Sequence, residues 1–164
     1  YILALYLARS AGLRIHECFR MDTAVAERAL RENALTVKGK GGKVRIVPIE
    51  DDRIIMMLER LLDKIERGHK LLVPDGMPTD RAINALELFI YRHRNEISDE
   101  GSDRRLTFHG LRHTYAAEKY TRLTEDGMSA IDAHYAVSHL LGHERADVTN
   151  IYLASVRKRG RDGE

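Results

Sequence analysis

Four short segments of the chain concentrate residue types that could act on a phosphodiester. In chain order they read AGLRIHE, KGKGGKVR, HGLRHTYAA and HLLGHERADVTNIY. Among them are arginines, lysines, histidines and a tyrosine: Arg14, Lys38, Lys40, Lys43, Arg45, His109, Arg112, His113, His139, His143 and Tyr152. Such a set suits the cleavage of a phosphodiester without a metal ion.

Each residue type meets one requirement of that reaction. Negative charge develops on the non-bridging oxygens, and the planar guanidinium of arginine donates to such oxygens in pairs. A tyrosine hydroxyl has a pKa near 10, so ionising it at pH 7 costs about 4 kcal/mol. Nearby cations and a basic histidine would reduce that cost. A lysine on a hairpin could protonate the leaving 5′-oxygen.

The spacing within two segments indicates that their residues act together. Arg14 and Glu17 are three positions apart, which places them on one helix face. His109 and Arg112 have the same spacing, and His113 follows directly. Each pair would therefore be presented to the same side of its helix.

The elements that must position these segments are predicted to be mostly helices. Hydrophobic periodicity and capping residues predict helices over 1–10, 15–19, 22–31, 51–66, 79–97, 108–120, 126–141 and 147–153. Two β-prone runs, 34–38 and 43–49, flank a glycine-rich turn and predict a hairpin. The inward residues are expected to include Phe89, Met128, Ile131 and Tyr135. The predicted class is α+β, mostly α-helical with a small antiparallel sheet.

Composition limits the class of protein. A chain of 164 residues, 43% hydrophobic and 32% charged, suits one globular domain. Its formal charge of +2 neither shows nor excludes nucleic-acid binding. Cys18 is the single cysteine, which excludes an internal disulfide and fits a reducing cytoplasm. No apolar run reaches the length of a membrane span. Because the sequence begins with Tyr1, we expect it to be a piece of a longer protein.

The same stretches resemble the motifs of a known enzyme family. GLRIHE, GKGGKVRIVP, HGLRHTYA and LLGHERADVTNIY are similar, in this order, to the successive motifs of the tyrosine recombinase family, which includes phage and transposon integrases. The resemblance extends over nearly the whole chain. By this resemblance the catalytic residues are Arg14, Lys40, His109, Arg112, His143 and Tyr152.

The resemblance also implies individual roles. Arg14 and Arg112 are the two arginines that hold the phosphate, and Glu17 orients the first of them. Lys40 is the general acid on the hairpin. Tyr152, nine residues after the histidine of LLGH, is the nucleophile.

The fold and partners follow from the same resemblance. It implies a tyrosine recombinase catalytic domain over residues 1–164, with the family's N-terminal DNA-clamping domain outside this sequence. The family rejoins DNA through a 3′-phosphotyrosine and uses no metal, nucleotide or other cofactor. The implied partner is double-stranded DNA, bound by a homotetramer; the isolated chain could be a monomer. Phosphate contacts that weaken with salt are expected from Lys38, Lys43 and Arg45.

Several alternatives stay open at this point. A type IB topoisomerase uses similar chemistry but relaxes DNA. A metal-dependent hydrolase could use the pairs His109 with His113 and His139 with His143, although the sequence lacks an HExxH motif. A DNA-binding module without activity would not need the full catalytic set. A nucleotide-binding loop would require its glycines to lead into a helix, whereas these lie between two strands.

Overall fold

Seven helices and a two-stranded antiparallel sheet form the part of the chain that the computed structural model describes, which is residues 1–39, 42–96 and 106–142. In chain order they are α1 (Ile2–Ala11), α2 (Ile15–Cys18), α3 (Thr23–Glu32), β1 (Ala34–Lys38), β2 (Val44–Pro48), α4 (Asp52–Leu62), α5 (Thr79–His93), α6 (Phe108–Glu125) and α7 (Ala130–Leu141). The predicted class, mostly helical with a small antiparallel sheet, is confirmed. The helix predicted over 147–153 lies outside the described residues.

Helix α1 lies at the centre of the packing because one of its faces carries apolar side chains, several of them small. Leu3 and Leu7 are buried there, together with three alanines, and α1 packs on α2, α4 and α6. The helix ends at Gly12, which adopts a left-handed conformation with φ of 63°. The N–H of Leu13 then donates to the carbonyl of Leu7 at 3.0 Å, which closes the helix end. Arg14 follows this turn two residues after Gly12.

The hairpin forms as predicted, and its register decides which side chains face the protein. Ala34 pairs with Pro48 at one end and Lys38 with Val44 at the other. Burial alternates along β2, so that Arg45 and Val47 are buried while their neighbours are exposed. Helix α3 packs against β1, and its N-cap Asp22 accepts from the N–H of Val25 at 2.8 Å. Arg45 therefore lies on the inner face of the sheet.

The apolar core has one large cluster and one small one. The fully buried members of the large cluster include Leu7, Leu13, Phe19, Leu35, Val47, Ile54, Leu58 and Leu86. The small cluster joins α6 to α7 through Tyr115, Ala116, Val137 and Leu141. It therefore fixes the end of α7 against α6.

The predicted inward face of α7 was wrong. Met128, Ile131 and Tyr135 are 38%, 69% and 60% exposed, whereas Ala133 and Val137 are buried. Ile131 and Tyr135 are four residues apart, as are Ala133 and Val137, so periodicity alone could not separate the two faces. The buried face is the one that packs on α6, where Val137 belongs to the small cluster.

Two further details concern the helices. Phe89 of α5 was expected inside but is 39% exposed, and its ring makes tilted contacts with the rings of Tyr1 and His93. Ile97, at the predicted end of that helix, lies outside the described residues. Among the helices described, none combines the length and the apolar character that a membrane crossing requires.

Candidate active site

Arg14 and Glu17 meet at the start of α2. Arg14 is the N-cap of this short helix, with an extended backbone, and Glu17 is its third residue. One carboxylate oxygen of Glu17 accepts from the backbone N–H of Arg14 at 2.7 Å, and the other from its Nη1 at 3.1 Å. The predicted pairing of the two side chains is therefore present, although through a helix cap rather than a helix face.

The carboxylate of Glu17 has a second arginine partner, Arg45 of β2. Nη1 and Nη2 of Arg45 each donate to one oxygen of Glu17 at 2.8 Å. The Glu17 side chain is fully buried and that of Arg45 is 6% exposed. Burial would raise the pKa of Glu17, but the hydrogen bonds from Arg45 and Arg14 outweigh it and lower the pKa to about 2. Glu17 is therefore a buried, ionised carboxylate shared by two arginines.

The place of Arg45 differs from the DNA contact that the sequence suggested. The charge of this guanidinium is already paired with the buried carboxylate of Glu17, which makes it poorly suited to bind a phosphate. The third nitrogen of the guanidinium, Nε, donates to the carbonyl oxygen of Leu140 at 2.9 Å. The signal for an inward side chain was in the sequence: Arg45 shares the strand face of Val47, two positions on.

Arg112 is a second buried arginine that joins distant segments. Its helix, α6, begins after Thr107, whose hydroxyl caps the N–H of Gly110 at 2.9 Å. Arg112 is 1% exposed. Nη2 donates to the carbonyl oxygen of Leu141 at 2.6 Å, and Nη1 donates to that of Gly12. One guanidinium thereby connects the end of α1, α6 and the end of α7.

His109 lies close enough to both predicted phosphate-binding arginines to be affected by their charges. Partial burial of the ring, then the charges of Arg112 and Arg14, lower the pKa of His109 below its usual value. The same two arginines also act on His16, whose pKa is lowered mainly by burial. Three of the six predicted catalytic residues, from segments about 100 positions apart, therefore share one electrostatic environment.

The other three predicted catalytic residues, Lys40, His143 and Tyr152, lie outside the described residues. The structure does describe the glycines next to two of them. A Cβ added to Gly39 would lie 3.9 Å from a carboxylate oxygen of Glu17, and one added to Gly142 would lie 3.1 Å from Arg45. The chain positions adjoining residues 40 and 143 thus flank the Glu17–Arg45 pair.

Two other reactive side-chain types in the described part of the chain are poorly suited to nucleophilic attack. Burial, then the nearby charge of Glu50, raises the pKa of Tyr115 to about 12. Burial also raises the pKa of the Cys18 thiol well above its usual range. Both groups would be harder to ionise than in water, so they fit a packing role.

The described residues contain no cluster of metal ligands of the kind that a metal-dependent hydrolase would need. His109 and His113 are in edge-to-face contact, with ring centroids 4.7 Å apart. Within residues 1–39, 42–96 and 106–142, no group of three or more His, Cys, Asp or Glu side chains could hold a metal ion. The pair of His139 and His143 lies partly outside these ranges.

Comparison with known families identifies the chain. The sequence profile described as "Phage integrase family" matches residues 1–159. The chain belongs to the phage integrase family. The resemblance inferred from the four motifs is therefore confirmed, because the match extends over all of them.

Individual members of the phage integrase family give a consistent picture. The chain is 27% identical over 157 residues to the tyrosine recombinase XerD of Pseudomonas putida, and 31% identical over 150 residues to that of Lacticaseibacillus casei. The alignments include 92% and 89% of this chain but only 48% and 47% of the relatives. The chain thus spans about half the length of these relatives.

Solved structures show the same fold. The crystal structure of XerA recombinase aligns with a TM-score of 0.67 at 20% identity, covering 98% of this chain and 56% of that one. The Tn1549 transposon integrase, in complex with circular intermediate DNA, aligns with a TM-score of 0.61 at 20% identity, covering 92% and 52%. The predicted fold of a tyrosine recombinase catalytic domain is therefore confirmed for this member of the phage integrase family.

Proposed function

We propose that this protein is a site-specific DNA recombinase that cleaves and rejoins strands through a tyrosine–phosphate bond, with residues 1–164 as its catalytic domain. The observation that carries the proposal is the hydrogen bond from Arg112 to the backbone of Gly12, which brings Arg112 next to the segment that holds Arg14. Two arginine charges in one region, both close enough to act on His109, suit a phosphate whose negative charge grows during the reaction. Membership of the phage integrase family supports the same chemistry.

In the proposed cleavage step, the hydroxyl oxygen of Tyr152 attacks the scissile phosphorus. The tyrosine–phosphorus bond forms as the bond to the 5′-oxygen breaks, which leaves a 3′-phosphotyrosine and a free 5′-hydroxyl. The tyrosine proton passes to a histidine, His109 or His143, and Lys40 supplies the proton for the 5′-oxygen. Attack of a 5′-hydroxyl in the reverse direction rejoins the strand, so the phosphodiester energy is retained.

The proposed substrate is double-stranded DNA, held by a tetramer on two duplexes and without a metal ion. One of the structures that share the fold is an integrase in complex with DNA, which supports this substrate class. Lys38 and Lys43, next to the hairpin turn, are proposed to bind DNA phosphates. Arg45 is not included in that set because its guanidinium is paired with the carboxylate of Glu17.

Trapping the covalent intermediate tests this proposal directly. The protein is incubated with a pool of nicked duplexes of randomised sequence, in which the cut product diffuses away and the adduct cannot be resealed. Adducts are recovered under denaturing conditions, their DNA is sequenced, and the attached peptide is identified by mass spectrometry. We expect the phosphate on Tyr152 and a shared DNA sequence at the attachment point, and we expect Tyr152→Phe to form no adduct while still binding DNA.

Other outcomes of the same experiment would reject the proposal. Absence of an adduct with the unsubstituted protein, or attachment at another residue, would exclude Tyr152 as the nucleophile. Adducts at unrelated sequences, together with relaxation of supercoiled DNA, would favour the topoisomerase alternative. Cleavage without any adduct, abolished by excess EDTA, would favour a metal-dependent hydrolase.

A further inference from the structure

We infer that Arg45 is a positioning residue, which holds Arg14 in place through Glu17 and at the same time holds the end of α7. This inference rests on the proposed function, because it concerns how the proposed active site is organised. It gives Arg45 a role different from a phosphate contact, and it starts from three hydrogen bonds of one guanidinium.

The first step is that Arg45 fixes the position of the Glu17 carboxylate. Its two oxygens accept from Arg45 in a parallel, two-bond arrangement, and such pairs fix orientation as well as distance. The same oxygens accept from the backbone and side chain of Arg14. Arg45 therefore sets the orientation of the carboxylate to which Arg14 is bonded.

The second step concerns charge. A buried carboxylate left with one partner would be costly to ionise, because burial opposes the charged form. With Arg45 present, Glu17 is ionised throughout the neutral range. Arg45 thus maintains the negative charge that attracts and orients the half-buried side chain of Arg14, which is 29% exposed.

The third step is that the same guanidinium also contacts the segment that leads into the motif of His143. Nε of Arg45 bonds to the carbonyl oxygen of Leu140, in the last turn of α7. Carbonyls at a helix C-terminus lack partners within the helix and carry partial negative charge, so a buried cation there is favourable. The chain leaves α7 at Gly142, whose backbone packs on the Arg45 side chain, and continues into the motif that contains His143.

The test separates positioning from DNA contact by comparing binding with the chemical step. Arg45→Met keeps an unbranched side chain similar to the aliphatic part of arginine and removes the guanidinium. On a nicked duplex bearing the sequence recovered by trapping, we expect the single-turnover cleavage rate at saturating protein to fall about 10²-fold. The Kd for the duplex and its salt dependence should be unchanged. If Arg45 contacts DNA instead, the Kd and the salt dependence change and the saturated rate does not, which would overturn the inference.

The pH profile provides a readout that general loss of stability would not move. In Arg45→Met the burial of Glu17 remains while its strongest partner is lost, so the pKa of Glu17 rises. Its ionised form, and with it the cleavage rate, should then be lost at a higher pH than in the unsubstituted protein. The double variant Glu17→Gln with Arg45→Met has no carboxyl to titrate and should lack this additional acid limb. An identical acid limb in the single and double variants would contradict the inference.

Two controls keep the test decisive. Arg53→Met removes an exposed guanidinium that also makes two hydrogen bonds to a carboxylate, that of Asp51, at 2.8 and 2.9 Å. This variant should leave the cleavage rate unchanged. If Arg45→Met does not fold, Arg45→Lys keeps the charge and loses the two-bond geometry. It should lower the saturated rate by a smaller factor, and a rate equal to that of the unsubstituted protein would overturn the inference. If the unsubstituted protein forms no adduct, the proposed function itself has failed.

Discussion

The guanidinium of Arg112 donates a hydrogen bond to the backbone carbonyl oxygen of Gly12, 100 residues earlier in the chain. A second bond, to the carbonyl of Leu141, connects the same group to the end of α7. Arg112 is therefore both a proposed catalytic cation and part of the structure that brings three motif segments together. Substitutions around it are expected to affect folding as well as cleavage, and the two effects have to be measured separately.

Replacing Arg112 by alanine should impair both properties. The buried carbonyls of Gly12 and Leu141 would lose their donor, and each such loss costs about 1–3 kcal/mol. Cleavage by the folded fraction should fall about 10²–10³-fold, as for removal of one donor to a developing negative charge. Urea unfolding followed by single-turnover cleavage under native conditions measures the two effects. Arg122→Ala, on the exposed side of the same helix, is the control and should change neither greatly. Cleavage at the original rate by a folded Arg112→Ala protein would remove Arg112 from the proposed mechanism.

Gly12→Ala should destabilise the protein by two separable effects. Gly12 has a left-handed backbone, which costs other residues about 1–2 kcal/mol. A Cβ there would also lie 2.4 Å from a ring carbon of Tyr115, and overpacking of this kind costs about 1–3 kcal/mol. Gly127→Ala is a matched control, because Gly127 also has a positive φ of 93° but has nothing within 4 Å of an added Cβ. The difference between their unfolding free energies isolates the packing cost; equal values would mean that Tyr115 moves aside freely.

The ionisation of Glu17 should make folding stability depend on pH at the acid end. The pKa of Glu17 is about 2 in the folded protein and 4.5 in its ordinary state, so the unfolded chain takes up the proton first as pH falls. The stabilisation is complete above pH 4.5 and is lost as pH falls through about 2. Urea unfolding at a series of pH values should therefore show a steeper acid loss in the unsubstituted protein than in Glu17→Gln.

At neutral pH, Glu17→Gln should be less stable by about 3–5 kcal/mol, because Arg45 would be left as a buried charge without its carboxylate. Glu118→Gln removes an exposed carboxylate that pairs with Arg9 and should cost less than about 1 kcal/mol. Parallel pH profiles for the Glu17→Gln and unsubstituted proteins would show that folding does not lower the pKa of Glu17.

Lys38→Ala should weaken DNA binding in a salt-dependent way without changing the chemical step. Lys38 is exposed at the end of β1, next to the hairpin turn. If it contacts one phosphate, its removal should reduce the slope of log affinity against log salt by about 0.9. Fluorescence anisotropy across a salt series measures this slope. Lys64→Ala, an equally exposed lysine just beyond α4, should leave the slope unchanged; an equal change in both variants would indicate a general effect of net charge.

Much of the local structure could be predicted from the sequence because it depends on near neighbours. The hairpin was found from two β-prone runs around glycines, and its strands agree with the prediction to within a residue or two. Helix α6 begins at the predicted Phe108, because the hydroxyl of Thr107 caps it, but it continues to Glu125. The motifs also predicted the family correctly, since their residue types and spacings are local features of the chain.

Burial is where sequence reasoning was least reliable. On α7 two stripes have the same helical spacing, and the one with Ile131 and Tyr135, which was predicted to face inward, proved to be exposed. On β2 the basic character of Arg45 suggested a surface contact, whereas its partner Glu17 holds it inside. In both cases the outcome depends on what packs across from the residue.

The sequence by itself determined the residue types, their spacing within each motif and most helix and strand positions, because these follow from interactions between residues a few positions apart. Only the tertiary structure decided that Arg112 reaches the carbonyls of Gly12 and Leu141 and that Arg45 shares Glu17 with Arg14. Backbone carbonyls are present at every residue and leave no pattern in a sequence. Which of them accepts from a buried arginine is set by the packing of helices that are far apart along the chain.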